Sequence, residues 1–295
     1  MLTSELMTQI RRIEIRTRHL VNDSFAGEYQ SIFKGRGMAF DEVRPYVPGD
    51  EIRTIDWNVT ARTGEAYVKR YTEERELTVM LMVDMSASGD FGSVNRFKRE
   101  LAAELTAVLA FAATTNNDKV GMLIFTDQIE LFIPPRKGRR HVLRLIRELL
   151  AFEPQSKGTD IKLALDTINQ ISKRRSILFM ISDFLEEPAH YRKTLAMTNR
   201  RHDIIAVDLS DPLERDIDNV GLLTLEDAET GELTWVDTSD KQWQQAFHQR
   251  VDKLEAEKQQ AFIRSSVDRI NIGTDREYIN PLTGFFQQRA KRIRH

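Results

Sequence analysis

Cysteine is absent from this 295-residue chain. Thiol catalysis, disulfides and Cys-based zinc sites are excluded with it, and the lack fits a reducing compartment. An excess of one charge is missing too: 43 Lys and Arg face 45 Asp and Glu, a net charge of −2. Nothing global therefore points to nucleic acid or an anionic membrane as partner. Apolar runs such as Leu77–Val83 fall far short of the roughly 20 residues of a membrane span. The N-terminus, MLTSELMTQIRRIEIRTRHL, alternates charge with apolar residues and has no signal-peptide core. A cytoplasmic chain with no transmembrane segment is expected, with peripheral membrane association left open. No phosphate-cradling GxxxxGK[ST], no GxSxG elbow and no HxH or HxxxH pair occurs. ATP hydrolysis, serine hydrolase chemistry and a histidine metal centre thus lack their signatures.

What remains is a globular composition, 41% hydrophobic and 30% charged, able to bury a core. Leu6, Ile10, Ile13 and Leu20 stand at helical spacing in the first 23 residues. Residues 24–76 carry turn chemistry (Gly35-Arg36-Gly37, Pro45, Pro48-Gly49-Asp50) among scattered aromatics, the pattern of a small irregular β module. From residue 77 strands and helices alternate. Leu77–Val83 reads as a buried strand, and the next helix sets Phe97, Leu101, Leu105, Val108 and Leu109 on one face. Val120–Phe125 and Ile129–Ile133 flank a tight Thr126-Asp127-Gln128 turn. Val142, Leu145, Ile146 and Leu149 line a helix, and another starts at about Thr159. Strands Ile177–Ser182 and Ile204–Leu209 enclose a helix near His190–Asn199. A strand pair, Leu222–Leu225 and Leu233–Val236, precedes a long charged helix lined by Trp243, Phe247, Val251 and Leu254. The tail, Asn271–His295, has weak periodicity, with Phe285 and Phe286 expected to dock. This alternation predicts an α/β fold: a doubly wound, mostly parallel sheet with helices on both faces. Three regions follow: 1–76, an N-terminal helix and small β-rich module; 77–240, the α/β domain; 241–295, a C-terminal helix and tail packed on the others.

Ligands of such sheets lie at the carboxyl ends of the strands, where Asp84 stands. Asp84-Met-Ser86-Ala-Ser88 offers one carboxylate and two hydroxyls from a strand-to-helix loop. Alone, that pentapeptide reads more readily as a helix cap. Two further places carry oxygen donors: Thr159 in Lys157-Gly158-Thr159-Asp160, opening a helix, and Asp183, ending a strand. A hard cation takes oxygen ligands of this kind.

These five positions, Asp84, Ser86, Ser88, Thr159 and Asp183, resemble the metal-ion-dependent adhesion site of von Willebrand factor type A domains, over roughly residues 77–240. The resemblance implies Mg²⁺ (or Mn²⁺), held by hydroxyls and by aspartates acting directly or through water. It also implies that an Asp or Glu of a protein partner fills the open coordination position. GRGMAFDEVRPYVPGDEIRTIDW (35–57) and NIGTDREYINPLTGFFQQR (271–289) are similar to a bacterial family of unknown function. Its members carry a type A domain and are associated with MoxR-type AAA+ ATPases. That resemblance implies a protein–protein interaction module, adaptor or partner of such an ATPase, in chaperone-like maturation or remodelling. Longer relatives carry N-terminal membrane segments, and none is expected here.

The rival class is an enzyme, a metal-assisted phosphoester hydrolase with Asp84 as nucleophile. Such phosphatases need a second acid two residues on, where this chain has Ser86, so no catalysis is expected. The charged residues of Gly35–Trp57 read as a structural ion-pair lattice before a docking surface. Arg136-Lys137-Gly138-Arg139-Arg140 reads as a solvated helix start, since no stacking aromatics accompany it. Asp208-Leu209-Ser210-Asp211 copies the metal motif, but Pro212 follows and a turn is the simpler reading.

Overall fold

The computed structural model describes residues 8, 10–15, 17, 29, 32, 39–72, 76–94 and 96–294. Residues 10–15 are helical, with Ile10 in the core; Leu6, Leu20 and Gly35-Arg36-Gly37 lie outside the described residues. Strands β1 (Ala39–Pro45) and β2 (Tyr67–Thr72) pair antiparallel, with helix α1 (Trp57–Thr63) between them in the chain. The charges of this module tie down its turns. Arg44 grips Asp50 through two bonds of 2.7 and 2.8 Å, while Asp56 caps α1 through Asn58 and Val59 N–H and pairs with Lys69 at 3.4 Å. Trp57 is exposed rather than enclosed by the module.

The main sheet takes β3 (Thr78–Asp84), β4 (Lys119–Phe125), β5 (Ile129–Arg136), β6 (Ile177–Ser182) and β7 (Asp203–Ser210). After β7 come a separate hairpin, β8 (Leu222–Glu226) and β9 (Leu233–Asp237), and then β10 (Asp268–Gly273), which returns to the main sheet. The spatial order is β10-β7-β6-β3-β4-β5, all parallel except β5, which runs back beside β4. The doubly wound, mostly parallel α/β arrangement read from the sequence is the one observed.

Side chains alternate across a strand, and here both sides are apolar. Val79, Leu81 and Val83 of β3 enter one core, Met80 and Met82 the other. None of the five is more than 1% exposed, and each such burial contributes about 1.5–3 kcal/mol. The first core is closed by α2 (Lys98–Thr115), α3 (Arg139–Leu150) and, from the chain's far end, α7 (Ile279–Arg294). The second is closed by α4 (Ile161–Ile171), α5 (Pro188–Arg201) and α6 (Lys241–Ser265).

Phe97 departs from expectation. It is half exposed and stands at the N-cap of α2, one helical spacing beyond the buried stripe, where its N–H donates to the Glu100 carboxylate (3.1 Å). The stripe of α6 is also weaker than read: Trp243, Phe247, Val251 and Leu254 are only half-buried, and the helix buries Lys258, Ala261 and Phe262 instead. The sheet's direction of growth reverses between β3 and β6, so the loops leaving those strands diverge and open a crevice.

Candidate functional site

Asp84 ends β3 at that crevice, and its backbone continues into a short 3-10 turn, Ala87–Asp90. The helix-cap reading does not hold, because α2 begins only at Lys98 and neither serine caps it. Instead Asp84 Oδ1 accepts the Ser86 N–H (3.0 Å), folding the loop back over the strand end. Oδ2 accepts the Ser182 hydroxyl (2.7 Å) from the end of β6. The Ser86 and Ser88 hydroxyls lie 3.1 Å apart. A small cleft, about the room of one water, is lined by Asp84, Ser86, Ser88, Ser182, Asp183 and Lys98 among others.

Charge in this cleft is uneven. Asp183 follows β6 and is 6% exposed. Burial pushes its carboxyl up, but the Lys98 ammonium 2.5 Å away and the Ser88 hydroxyl outweigh burial and hold it below the usual range. Lys98, itself 1% exposed, also donates to Glu214 (2.5 Å). Among the described residues no cationic side chain pairs with Asp84, whose donors are an amide and a hydroxyl. Burial first, and the charge of Asp183 second, push Asp84 up to about 7.

Thr159 comes from a loop pinned to the β4–β5 turn. Glu130 accepts the Gln155 and Ser156 N–H groups (3.1 Å each), and the Asp160 N–H donates to the Thr126 carbonyl (3.0 Å). Asp160 then caps α4 by accepting the Leu163 N–H (2.7 Å), so the helix starts at Ile161, two residues later than read. The same loop meets the Asp84 loop where the Ala87 N–H donates to the Lys157 carbonyl (2.9 Å). The structure thus brings Asp84, Ser86, Ser88 and Asp183 to one cleft. Thr159 stands on the adjoining loop, its hydroxyl donating to Glu229 Oε1 (2.9 Å) on the β8–β9 turn.

Sequence reasoning missed Lys98, Glu214 and Glu229. None carried a local signal: Lys98 heads an apolar helix as a solvated lysine would, and its partner Glu214 lies 116 residues further along. Among the described residues no group of three or more His, Asp or Glu side chains is arranged to hold a metal ion. A cation here would rest on hydroxyls as much as on carboxylates. The donor chemistry fits such a hard cation: two serine hydroxyls, a carboxylate with no cationic partner among the described residues, and Asp183 beside it.

The other motifs resolve into structure. Asp211 caps the turn after β7 and binds Ser93 and Thr274, while Asp208 is buried between Lys258 and Arg269. In the basic cluster Lys137 pairs with Glu76 (2.5 Å) and Arg139 with Glu14. No helix among the described residues is long and apolar enough to cross a membrane.

A family model described as "Protein of unknown function DUF58" matches residues 42–257. The chain is 32% identical over 229 residues to the uncharacterized protein Rv1480 of Mycobacterium tuberculosis, covering 77% of this chain and 72% of that protein. Among solved structures, an aerotolerance-related membrane protein from Bacteroides fragilis aligns with a TM-score of 0.49 at 16% identity, over 73% of this chain and 99% of that one. The VWA domain of SpRpn10 aligns with a TM-score of 0.39 at 12% identity, over 70% of this chain and 94% of that one.

Proposed function

The chain belongs to the DUF58 family, and from that premise we propose that it is a metal-dependent protein-interaction module. The observation carrying this reading is Asp84: a partly buried carboxylate beside a second carboxylate, held among the described residues by neutral donors. An isolated charge in such a place is costly, and a divalent cation offsets that cost. Asp84, Ser86 and Ser88 would hold Mg²⁺ (or Mn²⁺), with Thr159 and Asp183 completing the set from neighbouring loops. When bound, the cation supplies a positively charged position for an Asp or Glu of a partner protein.

The chain's own groups prepare that position. Ser182 and the Ser86 N–H orient the two oxygens of Asp84, which suits gripping a cation rather than attacking phosphorus. Lys98 offsets the charge of Asp183 and Glu214, leaving the cleft negative enough for one cation without collapse into repulsion. We extend the proposal to the setting that the Gly35–Trp57 and Asn271–Arg289 resemblances imply. There the chain is a cytoplasmic partner of a MoxR-type AAA+ ATPase in chaperone-like maturation or remodelling.

The test is capture of that ATPase from solution by the immobilised chain, in Mg²⁺ and in excess chelator. The native chain should retain it only in Mg²⁺, while Asp84→Ala should lose it at an unchanged far-UV spectrum. Equal capture by Asp84→Ala in chelator would sink the reading.

A further inference from the structure

The β8–β9 hairpin stands apart from the main sheet. Its strands pair with each other, from Leu222 opposite Asp237 to Glu226 opposite Leu233, and pack little against any other named element. Its outer face leaves Leu222, Leu233 and Trp235 exposed.

Base and tip are held differently. At the base, Thr238 accepts the Val220 N–H (2.9 Å) and donates to the Gly221 carbonyl (2.7 Å), and the Gln244 side chain donates to the Thr238 carbonyl (2.8 Å). This is a firm root. The tip is internally rigid: Asp227 accepts the Glu229 and Thr230 N–H groups (3.0 and 2.8 Å), and Gly231 closes the turn at φ 72°. The rigid tip presents Glu229 to the site loop, where the Thr159 hydroxyl donates to it (2.9 Å).

Burial works first against the charge of Glu229, the Thr159 hydroxyl relieves part of that, and the carboxylates of Asp183, Asp227 and Asp127 add to it; Asp183 belongs to the cleft itself. A carboxylate held by one hydroxyl of the site loop, within reach of the cleft's Asp183, resembles a ligand more than a brace. The hairpin has the build of an arm with a firm root, a stiff tip and, among the described residues, one hydrogen bond from its tip to the site loop.

We propose that the β8–β9 hairpin is an internal competitor for the site, with Glu229 standing where a partner's carboxylate must go. The proposal rests on the metal-dependent reading above and adds its regulation: a partner binds by displacing the chain's own acid. In that arrangement the exposed apolar face of the hairpin swings with the tip when a partner arrives.

The test uses Mn²⁺ and acetate, the smallest carboxylate, on the full chain. Mn²⁺ affinity is read by electron paramagnetic resonance. Acetate at the bound metal is read by the broadening of its methyl proton signal. Glu229→Gln should bind acetate about fivefold more tightly than the native chain, because no competitor occupies the position, with Mn²⁺ affinity shifted less than about threefold. If both chains bind Mn²⁺ and acetate alike, the competitor is disproved while the metal site stands. If Glu229→Gln loses Mn²⁺ binding, Glu229 supports the metal through Thr159 and the proposal also fails. If the native chain takes no Mn²⁺, the metal reading falls and this inference falls with it.

Discussion

Asp118 follows α2 and carries two bonds that join distant parts of the chain. Its carboxylate accepts the Leu77 N–H (3.0 Å) at the entrance to β3 and the Tyr29 hydroxyl (3.2 Å). Burial nevertheless dominates and pushes it up to about 6. The folded chain therefore holds this proton more tightly than the unfolded chain. The stability it contributes is full at low pH and is lost as pH rises from about 4 through about 6. Asp118→Asn removes the titration while keeping the shape. Its melting temperature should stay flatter than that of the native chain between about pH 4 and 6.5, by roughly 2–6 °C. Parallel curves in differential scanning calorimetry would refute this. Lys98 teaches a related lesson. In sequence it heads an apolar helix like any solvated lysine, yet it is buried between Asp183 and Glu214. Glu214 lies 116 residues further along, and no local pattern announces such a partner.

Elements were legible to the degree that their burial leaves a pattern. Strands covered on both faces, β3, β4, β6 and β7, are nearly continuous apolar runs, and their carboxyl ends mark Asp84 and Asp183 in the sequence itself. β10 leaves no such pattern. Asp268-Arg269-Ile270-Asn271-Ile272-Gly273 lies at the sheet's edge, and its polar positions serve ion pairs such as Arg269 with Asp208. Gly92, ahead of α2, is equally opaque in sequence, because its place is set by contacts rather than periodicity. A Cβ at Gly92 would lie 2.3 Å from the Arg96 carbonyl oxygen and 2.8 Å from Phe97 Cα, both backbone atoms. Gly92→Ala should displace the turn that delivers Lys98 and cost roughly 1–3 kcal/mol in urea denaturation. A midpoint unchanged from native would show that the loop yields freely.

At the scale of the whole molecule, residues far apart in sequence close one core. Phe286 of α7 is fully buried, its ring 6.2 Å from that of Tyr29 and 6.4 Å from that of Phe179 on β6. One turn further on, Arg289 bridges Asp203 of β7 (2.5 Å) and Asp268 of β10 (3.2 Å). The C-terminal helix is thus integral to the sheet it covers. Phe286→Ala should lower stability by about 3–5 kcal/mol, with the main transition moving as one. A separate early transition, leaving the main midpoint in place, would mark α7 as a loose appendage.

The position of β10 also has a consequence for how the chain is made. β7 ends at Ser210, but the strand that covers its outer edge is complete only at Gly273. At a ribosomal pace of roughly 5–20 residues per second, that interval lasts on the order of several seconds. Throughout it the growing chain presents a row of open backbone donors and acceptors beside an apolar strand, the template on which nascent chains pair wrongly. The stretch from Asp211 to Gly273 therefore finishes the sheet, and synthesis halted within it would leave an adhesive intermediate rather than a shorter working protein.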